Sequence, residues 1–173
     1  FADRVEEAQR RFQVPANRVY KGLEGYQELM ASGVDAVAIM SPPYYHPEQV
    51  EAAVKAGKHV FLAKPVAVDV PGARSVVASA EKAQGKLSFL VDFQTRVQPV
   101  FQEAARRVHQ GAIGAPVCGQ VFYHAGRLNP KTMPGMTEDQ NRLRNWVFDK
   151  ALSGDIVPTS GTLAGPKTVF MVS

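Results

Sequence analysis

Apolar residues recur along the chain at two different spacings, and the alternation between them predicts an α/β fold. Val5, Ala8 and Phe12 follow helical spacing near the start. Three later runs are apolar without alternation, which is typical of strands buried in a parallel sheet: residues 36–40, 60–62 and 88–92. Stretches with helical periodicity separate these runs. We therefore predict parallel strands joined by helical crossovers.

The stretches between the predicted strands carry helix end signals. One predicted helix ends near Gly33. The next has Pro47 in its first turn and Gly57 placed to cap its end, with acidic residues early and lysine late. A longer helix is predicted from Asp69 to Ala83. These helices have the length that a crossover in a parallel sheet requires.

The pattern changes near residues 93–98, where we place a domain boundary. A helix is predicted over Pro99–His109, followed by a glycine-containing turn. Residues 116–126 alternate as a strand does. Residues 127–145 are polar and are predicted to form a long loop, of a length usually retained for function.

Composition narrows the functional classes. The chain has 173 residues, of which 45% are hydrophobic and 21% charged, so it can bury a core. Its net charge of +4 is spread along helical patterns rather than gathered in a stripe, which argues against a nucleic-acid partner. One cysteine, Cys118, allows neither an internal disulfide nor a cysteine zinc site. No apolar run approaches the roughly 18 residues of a membrane span, and no element shows metal-ligand spacing.

Lys64 stands in an unusual place, directly after an apolar run and directly before Pro65. The run Val60–Leu62 indicates a buried strand, and Pro65 ends it. Lys64 should therefore lie at the carboxyl end of a strand, where open α/β sheets bind ligands. From these residues alone, a solvated loop lysine is the competing interpretation.

A longer segment resembles a known family. The stretch SPPYYHPEQVEAAVKAGKHVFLAKPVAVD (residues 41–69) is similar to the central signature of the Gfo/Idh/MocA family of nicotinamide-dependent sugar and polyol oxidoreductases. GAIG (111–114), LRNW (143–146) and LSGD (152–155) look like its second domain. The similarity extends from residue 1 to about residue 157.

The resemblance implies a fold, a reaction and partners. It implies a truncated Rossmann domain over 1–95 and, over 96–157, the start of an α/β domain with an open antiparallel sheet, followed by an atypical tail over 158–173. The implied reaction is hydride transfer between NAD or NADP and a hydroxyl-bearing carbon of a sugar or polyol, in a homo-oligomeric parent without membrane or nucleic-acid partners. The alternative is an inactive remnant, or a non-catalytic sugar- or nucleotide-binding protein with this fold. A cytoplasmic location is the default expectation, and export of the parent stays open.

The resemblance also implies roles for individual residues. Lys64 would be catalytic, bonding the substrate hydroxyl and the nicotinamide ribose. The loop passing that ribose, with the histidine close behind it, would consist of Ser41, Pro42, Pro43 and His46. Gln94 and Arg96 would face the substrate pocket. For His46, helix capping or exposure to solvent is an equal alternative.

The chain also departs from the family pattern. Ala63 stands where the family usually has a glutamate that helps orient the lysine. No Gly-x-Gly-x-x-Gly occurs, so we expect a fragment without the N-terminal phosphate-binding loop. The catalytic histidine expected after LSGD is also not found, and residues 158–173 are either a frame change, a foreign join or a divergent native tail.

The remaining candidates have structural explanations. His59 precedes a strand, and His109 suits the end of a helix. Trp146 is more typical of a core, and turn chemistry explains Asp155 as well as catalysis does. His124 lies in a predicted strand, and we assign it no proton-carrying role.

Overall fold

The computed structural model describes residues 2–119 and 128–154, with Ala2 and Gln94 described by their backbone alone. Within these ranges there are three strands: β1 (Ala36–Ile39), β2 (His59–Ala63) and β3 (Phe89–Asp92). The α-helices of the same ranges are α1 (Ala2–Phe12), α2 (Gly25–Ala31), α3 (His46–Lys55), α4 (Val70–Ala83), α5 (Pro99–His109), α6 (Glu138–Arg144) and α7 (Lys150–Ser153). Short 3-10 helices cover Ala16–Arg18, Pro43–Tyr45, Gln94–Val97 and Trp146–Phe148.

The strands form a parallel sheet in the order β1-β2-β3. Helix α3 connects β1 to β2, and α4 connects β2 to β3. The register pairs Ala36 with His59, and Ala63 with Asp92 at the far end. The predicted α/β class and parallel, Rossmann-like sheet are confirmed. The antiparallel sheet stays a prediction, because residues 120–127 of its expected strand lie outside the described ranges.

The core lies between one face of the sheet and the crossover helices. Its buried members are Met30, Val37, Ile39, Val50, Ala53, Val60, Leu62 and Val76. Helices α3 and α4 come close at Gly72, where a Cβ atom would lie 3.1 Å from Cγ of Pro47 and 3.0 Å from Cβ of Ala67. Glycine therefore permits the close contact of the helices here.

The sequence predicted strands that are buried on both faces, but the opposite face of this sheet is partly exposed. Val60 and Leu62 point into the core, whereas Phe61 between them is 36% exposed and Leu90 is 52% exposed. Burial therefore alternates along β1 and β2, because α3 and α4 cover one face in the described part of the chain.

Residues 127–145 contain a helix where the sequence predicted a loop. Helix α6 begins after Thr137, whose side chain accepts a hydrogen bond from the backbone of Gln140, while the Gln140 side chain bonds back to the Thr137 N–H. This capping box satisfies N–H groups that a first helical turn leaves open. The loop prediction was wrong for residues 138–144 because the Thr-x-x-Gln signal was not recognised.

The last described helix rests on the loop that follows β1. Helix α7 contacts the 3-10 helix Pro43–Tyr45, and Ser153 at its end is buried. The Asp149 carboxylate caps α7 and also bonds Arg142 at 2.7 Å. The predicted boundary at residues 95/96 comes three residues after β3 ends, and it stays a prediction.

Candidate functional site

The candidate site lies at the carboxyl edge of the sheet. Ser41 follows β1 after one residue, Lys64 follows β2 directly, and Asp92 is the last residue of β3. Because the strands are parallel and in register, their carboxyl ends meet at one edge. Ligands of open α/β sheets bind at this edge.

His46 joins two of the loops at this edge. Its Nε2 lies 2.8 Å from the carbonyl oxygen of Ser41, and its Nδ1 lies 2.8 Å from that of Pro65. The ring is buried, with 1% of its surface exposed. The alternative of helix capping or a solvent-facing ring is therefore wrong, and His46 holds the loop after β1 against the loop after β2.

Burial lowers the pKa of His46, against the opposing effect of the backbone carbonyls of Ser41, Pro65 and Val66. A neutral imidazole has one N–H and donates to one of its two carbonyl neighbours, whereas an imidazolium donates to both. The lowered pKa favours the neutral ring at neutral pH. His46 is thus a buried side chain that connects the two loops.

A second hydrogen bond fixes the loop after β1. The Ser41 hydroxyl donates to Oε1 of Gln49 on α3 at 2.7 Å. Pro42 is half-buried, and Pro43 begins a 3-10 helix and is buried. The residues predicted to pass a nicotinamide ribose therefore form an ordered loop. Gln49 was not among the site residues predicted from the sequence.

Lys64 is half-buried and precedes a cis peptide bond to Pro65. Burial lowers the pKa of Lys64, and the charge of Asp92 acts in the opposite direction. A lysine in a solvated loop would show neither effect. The environment is that of an amine held partly out of water beside a carboxylate.

Arg96 and Gln94 lie on the 3-10 helix that follows β3. The Arg96 guanidinium carbon lies 5.1 Å from the centre of the Phe93 ring, and Gln102 Nε2 donates to the Arg96 carbonyl at 2.9 Å. Both residues predicted for the substrate pocket follow the strand end that carries Asp92. Between them, Thr95 is 8% exposed, and its hydroxyl has no hydrogen-bond partner in the described part of the chain.

Among the described residues, the two other histidines are His59, at the start of β2, and His109, at the end of α5. The backbone N–H of Ser88 donates to His59 Nδ1 at 2.8 Å, which confirms the structural interpretation of His59. His109 is exposed at the end of α5. Trp146 is half-buried in its 3-10 helix. His124 and Asp155 lie outside the described residues.

Across residues 2–119 and 128–154, no cluster of three or more His, Cys, Asp or Glu side chains is arranged to hold a metal ion. No helix in the same ranges is both long and apolar enough to cross a membrane.

The chain is similar to the members of a known protein family. Residues 2–91, more than half of the chain, match the model of the Gfo/Idh/MocA oxidoreductase family, described as having an NAD-binding Rossmann fold. A curated relative, inositol 2-dehydrogenase 4 of Saccharopolyspora erythraea, is 33% identical over an alignment of 144 residues, and the match covers 79% of this chain and 40% of the relative.

Solved structures share the fold. An oxidoreductase from Thermotoga maritima is 34% identical, with a TM-score of 0.55, over 65% of this chain and 33% of its own. Apo scyllo-inositol dehydrogenase from Lactobacillus casei is 27% identical, with a TM-score of 0.54, over 66% of this chain and 32% of its own. The chain thus spans between about a third and two-fifths of the length of these proteins.

Proposed function

Since the chain belongs to the Gfo/Idh/MocA family of oxidoreductases with an NAD-binding Rossmann fold, we propose that it binds the nicotinamide end of NAD or NADP and a polyol or sugar at the carboxyl edge of its sheet. The observation that carries this proposal is the position of Lys64: half-buried at the end of β2, in a loop that His46 bonds to the loop of Ser41. A relative named for an inositol dehydrogenase supports a cyclic polyol as the substrate class.

The described residues fit one end of the cofactor. Ser41, Pro42 and Pro43 form a fixed loop at the edge where a nicotinamide ribose would lie, and His46 supports that loop from within. The 173 residues contain no Gly-x-Gly-x-x-Gly to receive a pyrophosphate, so we assign them the nicotinamide end alone. When bound, the cofactor supplies the hydride acceptor or donor.

Lys64 handles the substrate oxygen in this proposal. As an ammonium it donates a hydrogen bond to that oxygen and stabilises negative charge developing there. As a neutral amine it accepts the hydroxyl proton, and the burial that lowers its pKa makes this form more accessible. Gln94 and Arg96, on the neighbouring 3-10 helix, are proposed to contact the remaining substrate hydroxyls. Assembly of the parent into a homo-oligomer stays a prediction.

The test is oxidation of a panel of inositols and hexoses with NAD or NADP by the complete gene product that contains these residues. For Lys64→Met we expect kcat to fall about a hundredfold, the usual effect of losing one proton-transfer or electrostatic group. The cofactor dissociation constant should change far less, because the lysine contributes most in the transition state.

Lys82→Met is the matched control, because Lys82 is an exposed lysine near the end of α4. We expect it to retain wild-type kcat. Near wild-type turnover by Lys64→Met would refute the catalytic assignment. Cofactor or polyol binding without any turnover by the unmodified protein would favour the non-catalytic binding protein instead.

A further inference from the structure

Asp92 occupies a position that strand propensity does not explain. Aspartate is disfavoured in strands, yet Asp92 is the last residue of β3, after Phe89, Leu90 and Val91. It is half-buried, so its carboxylate is partly removed from water. An opposite charge nearby would stabilise a carboxylate in such a place.

Helix capping does not account for Asp92. The 3-10 helix that follows β3 has Phe93 as its N-cap residue and no side-chain capping bond. Asp69 shows the contrast, because it stands before α4 and accepts a 2.7 Å hydrogen bond from the Gly72 N–H. Asp92 therefore differs from a capping aspartate, and the neighbouring strand β2 offers another explanation.

The register supplies that explanation. Asp92 pairs with Ala63, and Lys64 is the next residue after Ala63. Neighbouring strands lie about 4.8 Å apart, so the carboxylate and the amine start from adjacent backbone positions. The side chain of Ala63 is a methyl group and carries no charge at this edge. Lys64 lies in a bend just past the end of β2, at the same edge of the sheet as Asp92, and the charge of Asp92 acts on it.

We propose that Asp92 is a positioning residue whose carboxylate holds the Lys64 ammonium at the carboxyl edge of the sheet. The role of this pair in catalysis rests on the proposed function. The attraction between the Asp92 carboxylate and the Lys64 ammonium does not depend on that function. Asp92 acts through Lys64 and needs no contact with substrate. By attracting the ammonium it opposes the effect of burial, so that Lys64 retains a proton to share with a substrate oxygen.

The other titratable groups near this edge have different partners. His46, on α3, directs both ring nitrogens at backbone carbonyls. Arg96, on the 3-10 helix after β3, has its guanidinium over the Phe93 ring. Asp92 is therefore the carboxylate of the described residues that β3 brings to Lys64.

The experiment measures the pKa of Lys64 by NMR in the same protein that is used for the activity test, with the lysine Cε carbons labelled. The Lys64 signal is the one missing from Lys64→Met. In Asp92→Asn, which keeps the shape and removes the charge, we expect this pKa to fall by about one pH unit, because a nearby opposite charge favours the charged form of an amine. Asp92→Glu should restore most of the original value.

Asp35→Asn is the control, since Asp35 is an exposed aspartate before β1, at the other end of the sheet. It should leave the Lys64 signal unchanged. An unchanged Lys64 pKa in Asp92→Asn, or an equal fall in Asp35→Asn, would overturn the proposal. If Asp92→Asn fails to fold, Asp92→Ser removes the same charge with a smaller side chain and carries the same expectation.

This measurement uses neither cofactor nor substrate. A protein that fails to oxidise polyols but shows the Asp92-dependent shift would refute the proposed function and keep the pair. A protein that oxidises polyols with a Lys64 pKa independent of Asp92 would do the opposite.

Discussion

The two ends of the sheet both carry lysines, and the lysines differ in their surroundings. At the amino end, Lys55, Lys82 and Lys86 line a cavity of about 460 Å³, and all three are exposed. Lys55 and Lys82 lie in the last turns of α3 and α4, where the helix dipole favours a positive charge. At the carboxyl end, Lys64 is half-buried, and the charge of Asp92 acts on it.

The histidines repeat this difference. At the amino end, His59 accepts one hydrogen bond from Ser88 and is half-buried. At the carboxyl end, His46 is buried and contacts the carbonyls of two loops. The histidine at the amino end thus has a single hydrogen-bond partner and partial exposure, whereas the one at the carboxyl end is buried between two loops. Partial burial beside a specific partner, rather than residue type, therefore distinguishes the candidate site.

Among substitutions at the two ends of the sheet, we expect His46→Ala to reduce the stability of the protein most. The substitution empties a buried position and leaves carbonyls without a partner, so the free energy of unfolding should fall by about 3 kcal/mol or more. His59→Ala, which removes one hydrogen bond at the other end, should cost about 1 kcal/mol. Urea unfolding followed by circular dichroism gives both values. Equal losses of unfolding free energy in the two variants would contradict the expected difference between the two ends of the sheet.

A pH dependence is the next effect. Burial lowers the pKa of His46 from its ordinary value of 6.5, so between the two values the unfolded chain binds a proton that the folded chain does not. The free energy of unfolding should therefore decrease as pH falls below 6.5, and level off below the pKa of the folded state.

The measurement is urea unfolding of wild type and His46→Ala from about pH 8 to about pH 5, across the range in which histidine titrates. The difference between the two proteins should shrink toward acid pH. Parallel curves would show that His46 keeps an ordinary pKa in the folded protein.

The smallest effect concerns the loop after β1. Ser41→Ala removes the 2.7 Å hydrogen bond to Gln49 and should lower the free energy of unfolding by about 1 kcal/mol, because the bond is half-buried. Ser32→Ala removes an exposed bond of the same length to the Leu29 carbonyl and should cost less than about 0.5 kcal/mol. Thermal unfolding of the two variants side by side is the measurement, and a larger loss in Ser32→Ala would contradict the expected order.

Much of the fold follows from local sequence signals. Apolar runs bounded by turns predicted β1, β2 and β3 to within one residue at each end, and Pro47 with Gly57 predicted the limits of α3 closely. Helix α6 was missed because its Thr137–Gln140 capping box lies in a polar stretch without an apolar period. The alternating burial of Phe61 depends on which face the helices cover, which the strand sequence does not state.

The site was less predictable because its contacts are not local. The resemblance led to Lys64 and to the loop of Ser41, but His46 contacts a carbonyl 19 residues away, and that contact follows only from the fold. The relation of Asp92 to Lys64 likewise depends on the register of β2 and β3. Neither has a sequence motif of its own.

The bridging ring of His46 bears on protein engineering. Because one buried side chain contacts the backbone at both Ser41 and Pro65, the two loops depend on each other. A graft that exchanges residues 41–49 alone would replace the ring that the loop at Pro65 contacts. Specificity transplants in this scaffold should therefore move residues 41–49 and 63–66 together.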